Sequence, residues 1–202
     1  MNAKKLFLMI MVMVCTMLCA FSQQYKVGDD GPGGGIVFYY SEKGFDVYQA
    51  DGSLKRCNYL EVSKTEVALV SWCPCKNGDY CSINTVDSIG MGKMNTYKIL
   101  NTKHYNETLS ATNCAAKACA EYSTAQTSKG EWFLPSKDEL NILYKNLGTR
   151  ILALATESWH WSSSMSNKYN IDAWCRMFSP GDQFDHIKCC TFSVRAIRAF
   201  SN

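Results

Sequence analysis

Residues 130 to 148, GEWFLPSKDELNILYKNLG, specify a helix at both of its ends and so set the element around which the rest of the chain must pack. Ser136 is an N-cap residue, and Glu139, three positions on, completes a capping box. Leu140, Leu143, Tyr144 and Leu147 recur at helical spacing as one apolar stripe, and Gly148 ends it. Trp132-Phe133-Leu134 before Pro135 reads as a strand end. The stretch predicts scaffold, with no ligand contact of its own.

A second helix is predicted over Asn113–Tyr122, where Ala115, Ala118, Cys119 and Tyr122 follow the i, i+3, i+4, i+7 pattern. Helical spacing puts Cys114 and Cys119 about 140° apart, which predicts different partners for the two. Elsewhere the signals are strands and turns. GDDGPGGG precedes a strand at Ile36–Tyr40, and SEKG turns it into FDVYQA, an opening hairpin. YLEV and ALVSW follow, then an irregular NTVDSIGMGKMNT. SWHWSSS, DAWCRMF and HIKCCTFSVRAIRAF close the chain, with Val194 and Ala196 on one face of the last strand and Arg195 and Ile197 on the other. The fold class is α+β, two helices packed on a twisted antiparallel sheet drawn from both chain ends, with long irregular loops. The glycine-rich stretch is not a phosphate loop, because its strand follows the glycines and no Gly-Lys-Ser/Thr is present.

Residues 1–22, MNAKKLFLMIMVMVCTMLCAFS, read as a secretory signal peptide: two lysines, a short apolar run and a small-x-small cleavage pattern. The run falls short of the roughly 20 residues a membrane span requires, and no transmembrane segment is expected in the mature chain. The remainder suits a single domain, 25–202. Without Lys4 and Lys5, 19 basic residues face 18 acidic ones, a balance of +1. Such a balance excludes nucleic acid as a composition-level partner. Nine cysteines remain outside the signal: Cys57, Cys73, Cys75, Cys81, Cys114, Cys119, Cys175, Cys189 and Cys190. In an exported chain they are disulfide candidates. Cys189-Cys190 is expected on a strand with side chains on opposite faces, Cys175 being a neighbour for one of them. The odd count leaves at least one thiol free, paired with another chain such as a second copy in a homo-oligomer, or otherwise used.

Cys73-Pro-Cys75 with Cys81 lacks the second knuckle of a structural zinc site. Asp182-Gln183-Phe184-Asp185 supplies two carboxylates where calcium takes about six to eight oxygens. No metal and no cofactor are expected. Ser162, Ser163 and Ser164 lack a nucleophile elbow, and the histidines lack a partner pattern, so the chain is not expected to be an enzyme.

Seven motifs, in order, carry a family likeness from about Tyr25 to Phe200: GDDGPGGGIVFYY, YLEV, IGMGKMNT, GEWFLPSKDELNILYKNL, HWSSS, DAWCRMFSPGDQ and VRAIRAF. They resemble the bacterial extracellular family known by the C-terminal domain of a collagen-like adhesin, formerly a domain of unknown function. The resemblance implies a C-type-lectin-like fold whose irregular loops vary the ligand contacts. Its best-known relative is a surface adhesin that binds sulfated polysaccharide, aided by trimerisation and a collagen-like stalk. This chain has no Gly-x-y stalk, and its charge is nearly balanced.

The ligand surface is expected on the loops around 165–172 and 179–188, with Tyr169, Asn170, Asp182, Gln183, His186 and Lys188 as polar contacts. Trp159 and Trp161 are expected to divide between core and surface. The expected partner is a glycan or an extracellular protein, and the compartment is the periplasm, the cell surface or the medium. A disulfide-stabilised structural envelope protein and a redox or protein-modifying enzyme on the same fold are the alternatives.

Overall fold

The computed structural model describes residues 25–73, 82–102, 114–151 and 159–201. The signal segment, Cys75, Cys81 and most of the 151–155 stretch lie outside them. The described strands are β1 (Ile36–Tyr48), β2 (Leu54–Val62), β3 (Ala68–Ser71), β4 (Trp159–Met165), β5 (Asp172–Met177), β6 (Gln183–Ile187), β7 (Thr191–Val194) and β8 (Ile197–Phe200). The helices are α1 (Gly92–Leu100), α2 (Ala115–Glu121) and α3 (Lys137–Ile151). None of them is long and apolar enough to cross a membrane.

The class is α+β, as the pattern predicts, but the described residues form two sheets in place of one and three helices in place of two. The first sheet has the order β1-β2-β8 and does join both ends of the chain. The second has the order β3-β7-β4-β5-β6 and includes one parallel pairing, His160 opposite Ser193.

Each departure has a local cause. SEKG is not a hairpin turn but a bulge inside β1, between the pairs Tyr40–Tyr59 and Phe45–Cys57. The bulge is held because Asn58 Nδ2 donates to the Ser41 carbonyl at 2.9 Å. The turn itself lies at Gln49–Ser53, around Asp51-Gly52. Helix α1 occupies the stretch read as irregular. Its buried residues include Asn95 and Thr96, so it shows little apolar stripe. HIKCCTFSVRAIRAF is not one strand: a turn at Lys188–Cys190 separates β6 from β7, and Arg195-Ala196 carries the chain from the second sheet to the first. Val194, Arg195, Ala196 and Ile197 are all buried, so the expected alternation of faces is lost. Arg195 Nη1 instead donates to the carbonyls of Ser63 and Lys64.

Helix α3 follows its predicted logic. The Ser136 N–H donates to Glu139 Oε2 at 2.7 Å, the Glu139 N–H donates to Ser136 Oγ at 3.3 Å, and helical dihedrals fail at Gly148 (φ 42°, ψ −144°). Leu140, Leu143 and Leu147 pack on Phe38, Leu60, Phe133 and Phe178, which joins α3 to the first sheet. A second apolar cluster gathers Trp72, Trp132 and Trp161 between α1, α2 and the second sheet. Each tryptophan withdraws roughly 200 Å² from water, so these three dominate that cluster.

Two buried carboxylates tie the glycine-rich segments down. Glu61 accepts from Gly33 N–H at 3.1 Å and Gly35 N–H at 3.1 Å. A Cβ at Gly31 or Gly33 would fall on the Glu61 carboxylate, and one at Gly35 on the Val62 carbonyl, so the run GPGGG is a cradle for an anion supplied by the chain itself. Glu139 likewise accepts from Gly90 N–H at 2.8 Å, and a Cβ at Gly92 would strike it. The first turn of α1 is thereby locked to the cap of α3.

Candidate functional site

The loop between β4 and β5 is closely tied by its own hydrogen bonds. Ser166 Oγ donates to Asp185 Oδ2 at 2.5 Å and accepts from the N–H groups of Lys168 and Tyr169. Ser166 N–H donates to the Asp172 carbonyl, and Asp172 N–H to that of Tyr169, which closes the loop on itself. Burial, with Asp185 nearby, raises the Asp172 carboxyl above its ordinary range. From below, the fully buried Lys188 donates through Nζ to the Asn170 carbonyl and lies 4.9 Å from the Trp72 ring centroid.

Beside this loop runs the segment leading from Ser82 to α1. Thr85 Oγ1 accepts from Met165 N–H at 2.8 Å, and Ile83 N–H lies 3.0 Å from Met165 Sδ. Lys98 on α1 holds the Asn84 carbonyl at 2.8 Å. Between the two segments lies a cleft of about 520 Å³. Ile83 and Met165 floor it, and Ser82, Asn84, Asn167, Lys168, Tyr169 and Asn170 rise around it with exposed side chains. Tyr169 is 58% exposed, an aromatic face held by a fixed backbone and flanked by amides.

Of the six predicted contacts, Tyr169 and Asn170 line this cleft. Lys188 serves it from inside the protein, as the support of the Asn170 backbone, and does not present its ammonium at the surface. Asp182 and Gln183 sit at the other end of β5, which at about 3.3 Å per residue spans roughly 20 Å. Gln183 Nε2 is spent on the Lys137 carbonyl at 3.2 Å. His186 is exposed on the edge strand β6, its ring 5.1 Å from that of Phe192. Asp182 and Gln183 therefore lie apart from Tyr169 and Asn170, while Asp185 and Lys188 bond to the loop that carries them. Ser82–Thr85 had no sequence signal, because its approach to the loop depends on contacts some 80 residues apart.

Trp159 and Trp161 point to the same face of β4, as residues two apart must. Both rings lie against Phe192, Trp159 stacked and Trp161 tilted, with Trp161 fully buried and Trp159 partly covered. The serines that follow are structural: Ser162 Oγ donates to the Trp174 carbonyl, and Ser164 Oγ accepts from Lys137 N–H.

Cys57, Cys119, Cys175, Cys189 and Cys190 stand as thiols. Cys189 and Cys190 lie on a turn and not on a strand, with Cys189 exposed and Cys190 partly buried. Cys114 precedes the first turn of α2, so the helical angle between it and Cys119 does not apply, and both are buried in one apolar cluster. Burial pushes the thiols of Cys57, Cys119, Cys175 and Cys190 upward, Cys175 to about 12.

No protein-family model matches the chain, and no curated protein does. Among solved structures it is similar to a fimbrial protein from Bacteroides ovatus, at 12% sequence identity and a TM-score of 0.51. The likeness covers 87% of this chain and 46% of that one, so the chain spans about half the length of the structure it matches. What the two share is an α+β fold.

Proposed function

We propose that this chain is an exported, non-enzymatic binding domain of adhesin type, and that a glycan occupies the cleft over Tyr169. The observation that carries this reading is the exposed Tyr169 ring on a loop whose backbone is already fully tied, beside Asn84, Asn167 and Asn170. A pyranose offers an apolar face for an aromatic ring and hydroxyls for amides, and a pre-ordered site loses little entropy on binding it. The motif resemblance to the collagen-like adhesin domain supports a surface role and a C-type-lectin-like scaffold. The similar structure being that of a fimbrial protein fits the same extracellular setting. Burial displaces the thiols of Cys57, Cys119, Cys175 and Cys190 upward, which speaks against a reactive thiolate at these four positions.

A glycan array probed with the mature domain tests the proposal. Tyr169→Ala abolishes the array signal while the urea midpoint stays within error; a signal that survives Tyr169→Ala combined with Asn170→Ala removes the glycan from this cleft.

A second reading, a structural envelope component linked through cysteine, is favoured by the exposed Cys189. Non-reducing electrophoresis of the exported protein shows a dimer band that Cys189→Ser eliminates if that reading holds, and a monomer alone if it does not.

A further inference from the structure

On another face of α1 lies a second cavity, of about 220 Å³. Lys93, Tyr97 and Leu100 follow one another at i, i+4 and i+7 and line it from α1. Ala120 of α2 borders it, and the buried rings of Trp132 and Phe133 form its aromatic wall. Tyr97, 42% exposed, stands at the lip. Lys98, which serves the cleft over Tyr169, does not line this cavity.

Lys93 is the charged group of this lining. It is partly buried and makes no hydrogen bond or ion pair with any described residue. The acidic groups near it are already engaged. Glu131 accepts from Ser128 N–H at 2.7 Å through one oxygen and from Arg198 Nε at 3.0 Å through the other. Asp51 accepts from both the N–H and the hydroxyl of Ser53. Lys55 and Arg198 add positive charge on the same side. A partly desolvated ammonium among like charges is unfavourable, and an incoming anion relieves it. The adjoining hydrocarbon and aromatic wall fits an apolar body, and the volume lies below the roughly 300 Å³ at which drug-sized sites begin.

We propose that this cavity binds a small carboxylic acid with an aromatic or aliphatic body. The carboxylate pairs with Lys93, and the body lies against Leu100, Trp132 and Phe133. This site is separate from the glycan cleft and stands or falls without it.

The test titrates the mature protein with 3-phenylpropanoate and with the neutral 3-phenylpropan-1-ol, by calorimetry and by the Trp132 indole N–H resonance. The acid binds with a Kd below about 1 mM and the alcohol about tenfold more weakly, a difference of about 1.4 kcal/mol. Lys93→Met brings the acid to the level of the alcohol, Ala120→Phe blocks both, and Tyr169→Ala changes neither. Equal binding of acid and alcohol by the unmodified protein overturns the proposal without reliance on any variant. So does the lack of saturable binding of the acid up to about 10 mM, or acid binding that survives both Lys93→Met and Ala120→Phe.

Discussion

Arg198 on β8 donates through Nη1 to Glu61 on β2 at 2.7 Å, and the same carboxylate fills the nest of N–H groups at Gly33 and Gly35. Glu61 is fully buried, so its removal strands two backbone donors and leaves Arg198 with its bond to Glu131 alone of the two carboxylates it pairs with. Glu61→Ala therefore lowers stability by about 3 kcal/mol, read as a fall in the urea midpoint at constant m. Gly33→Ala acts through the same carboxylate, since its Cβ would sit 2.5 Å from Glu61 Oε1.

The two carboxylates Glu139 and Glu66 give opposite pH dependences. Burial raises the Glu139 carboxyl to about 7, although N–H donors from Ser136 and Gly90 favour its charged form. Its folded pKa exceeds its unfolded one, so its contribution is complete below about 4.5 and is lost as pH rises through about 7. Relative to Glu139→Gln, the native protein then loses stability between pH 5 and pH 7, by at most roughly 1.4 kcal/mol for each pH step of one crossed. Melting temperatures recorded across that range for both proteins check the slope.

Glu66 behaves the other way. His160 Nε2 at 3.3 Å and the Ser193 hydroxyl at 2.9 Å hold its carboxyl down to about 2. Its contribution is present above about 4.5 and is lost as pH falls through about 2. Acid titration of unfolding shows a shallower slope below pH 4 in Glu66→Gln than in the native protein.

Lys188→Met separates support from contact at the cleft. The substitution keeps most of the stem and removes the donor to the Asn170 carbonyl, which costs about 1–3 kcal/mol as a buried charge-assisted bond is lost. Amide exchange over 166–172 accelerates in Lys188→Met and stays unchanged in Tyr169→Ala, whose side chain is exposed.

In the reduced native protein, alkylation reaches Cys189 first among the described cysteines. Cys57, Cys119 and Cys175 are buried with raised thiol pKa values and are labelled only after unfolding. Among the peptides that carry the described cysteines, mass spectrometry of briefly treated protein reports the Cys189 peptide as the modified one, and early labelling of Cys175 contradicts the packing of β5.

The sequence made some of this plain. Ser136 and Glu139 announce their reciprocal bonds because a capping box is local, and Leu140, Leu143 and Leu147 announce their face because a stripe is periodic. The second duty of Glu139, at Gly90, is 49 residues away and carries no local signature. Helix α1 is hidden for a related reason: Asn95 faces inward to hydrogen-bond Val86 and Ser163, so polarity lies where a stripe would be expected. Asp51-Gly52 is itself a hairpin signal, and SEKG competes with it because Gly44 supplies a similar local cue. At the cleft, Tyr169 and Asn170 read correctly as loop residues. Lys188 looked the same in sequence, and only its place beneath the loop distinguishes a support from a contact.

β2 lies between β1, its neighbour in the chain, and β8, whose Arg198 is 137 residues beyond Glu61. A strand so placed has one flank available early and the other only when nearly the whole chain has emerged. For a polypeptide made from its N-terminus, the opening hairpin stands with a bare edge, and Glu61 waits for Arg198, until the last strand is made. Closure of the first sheet is thus timed by the arrival of the last strand.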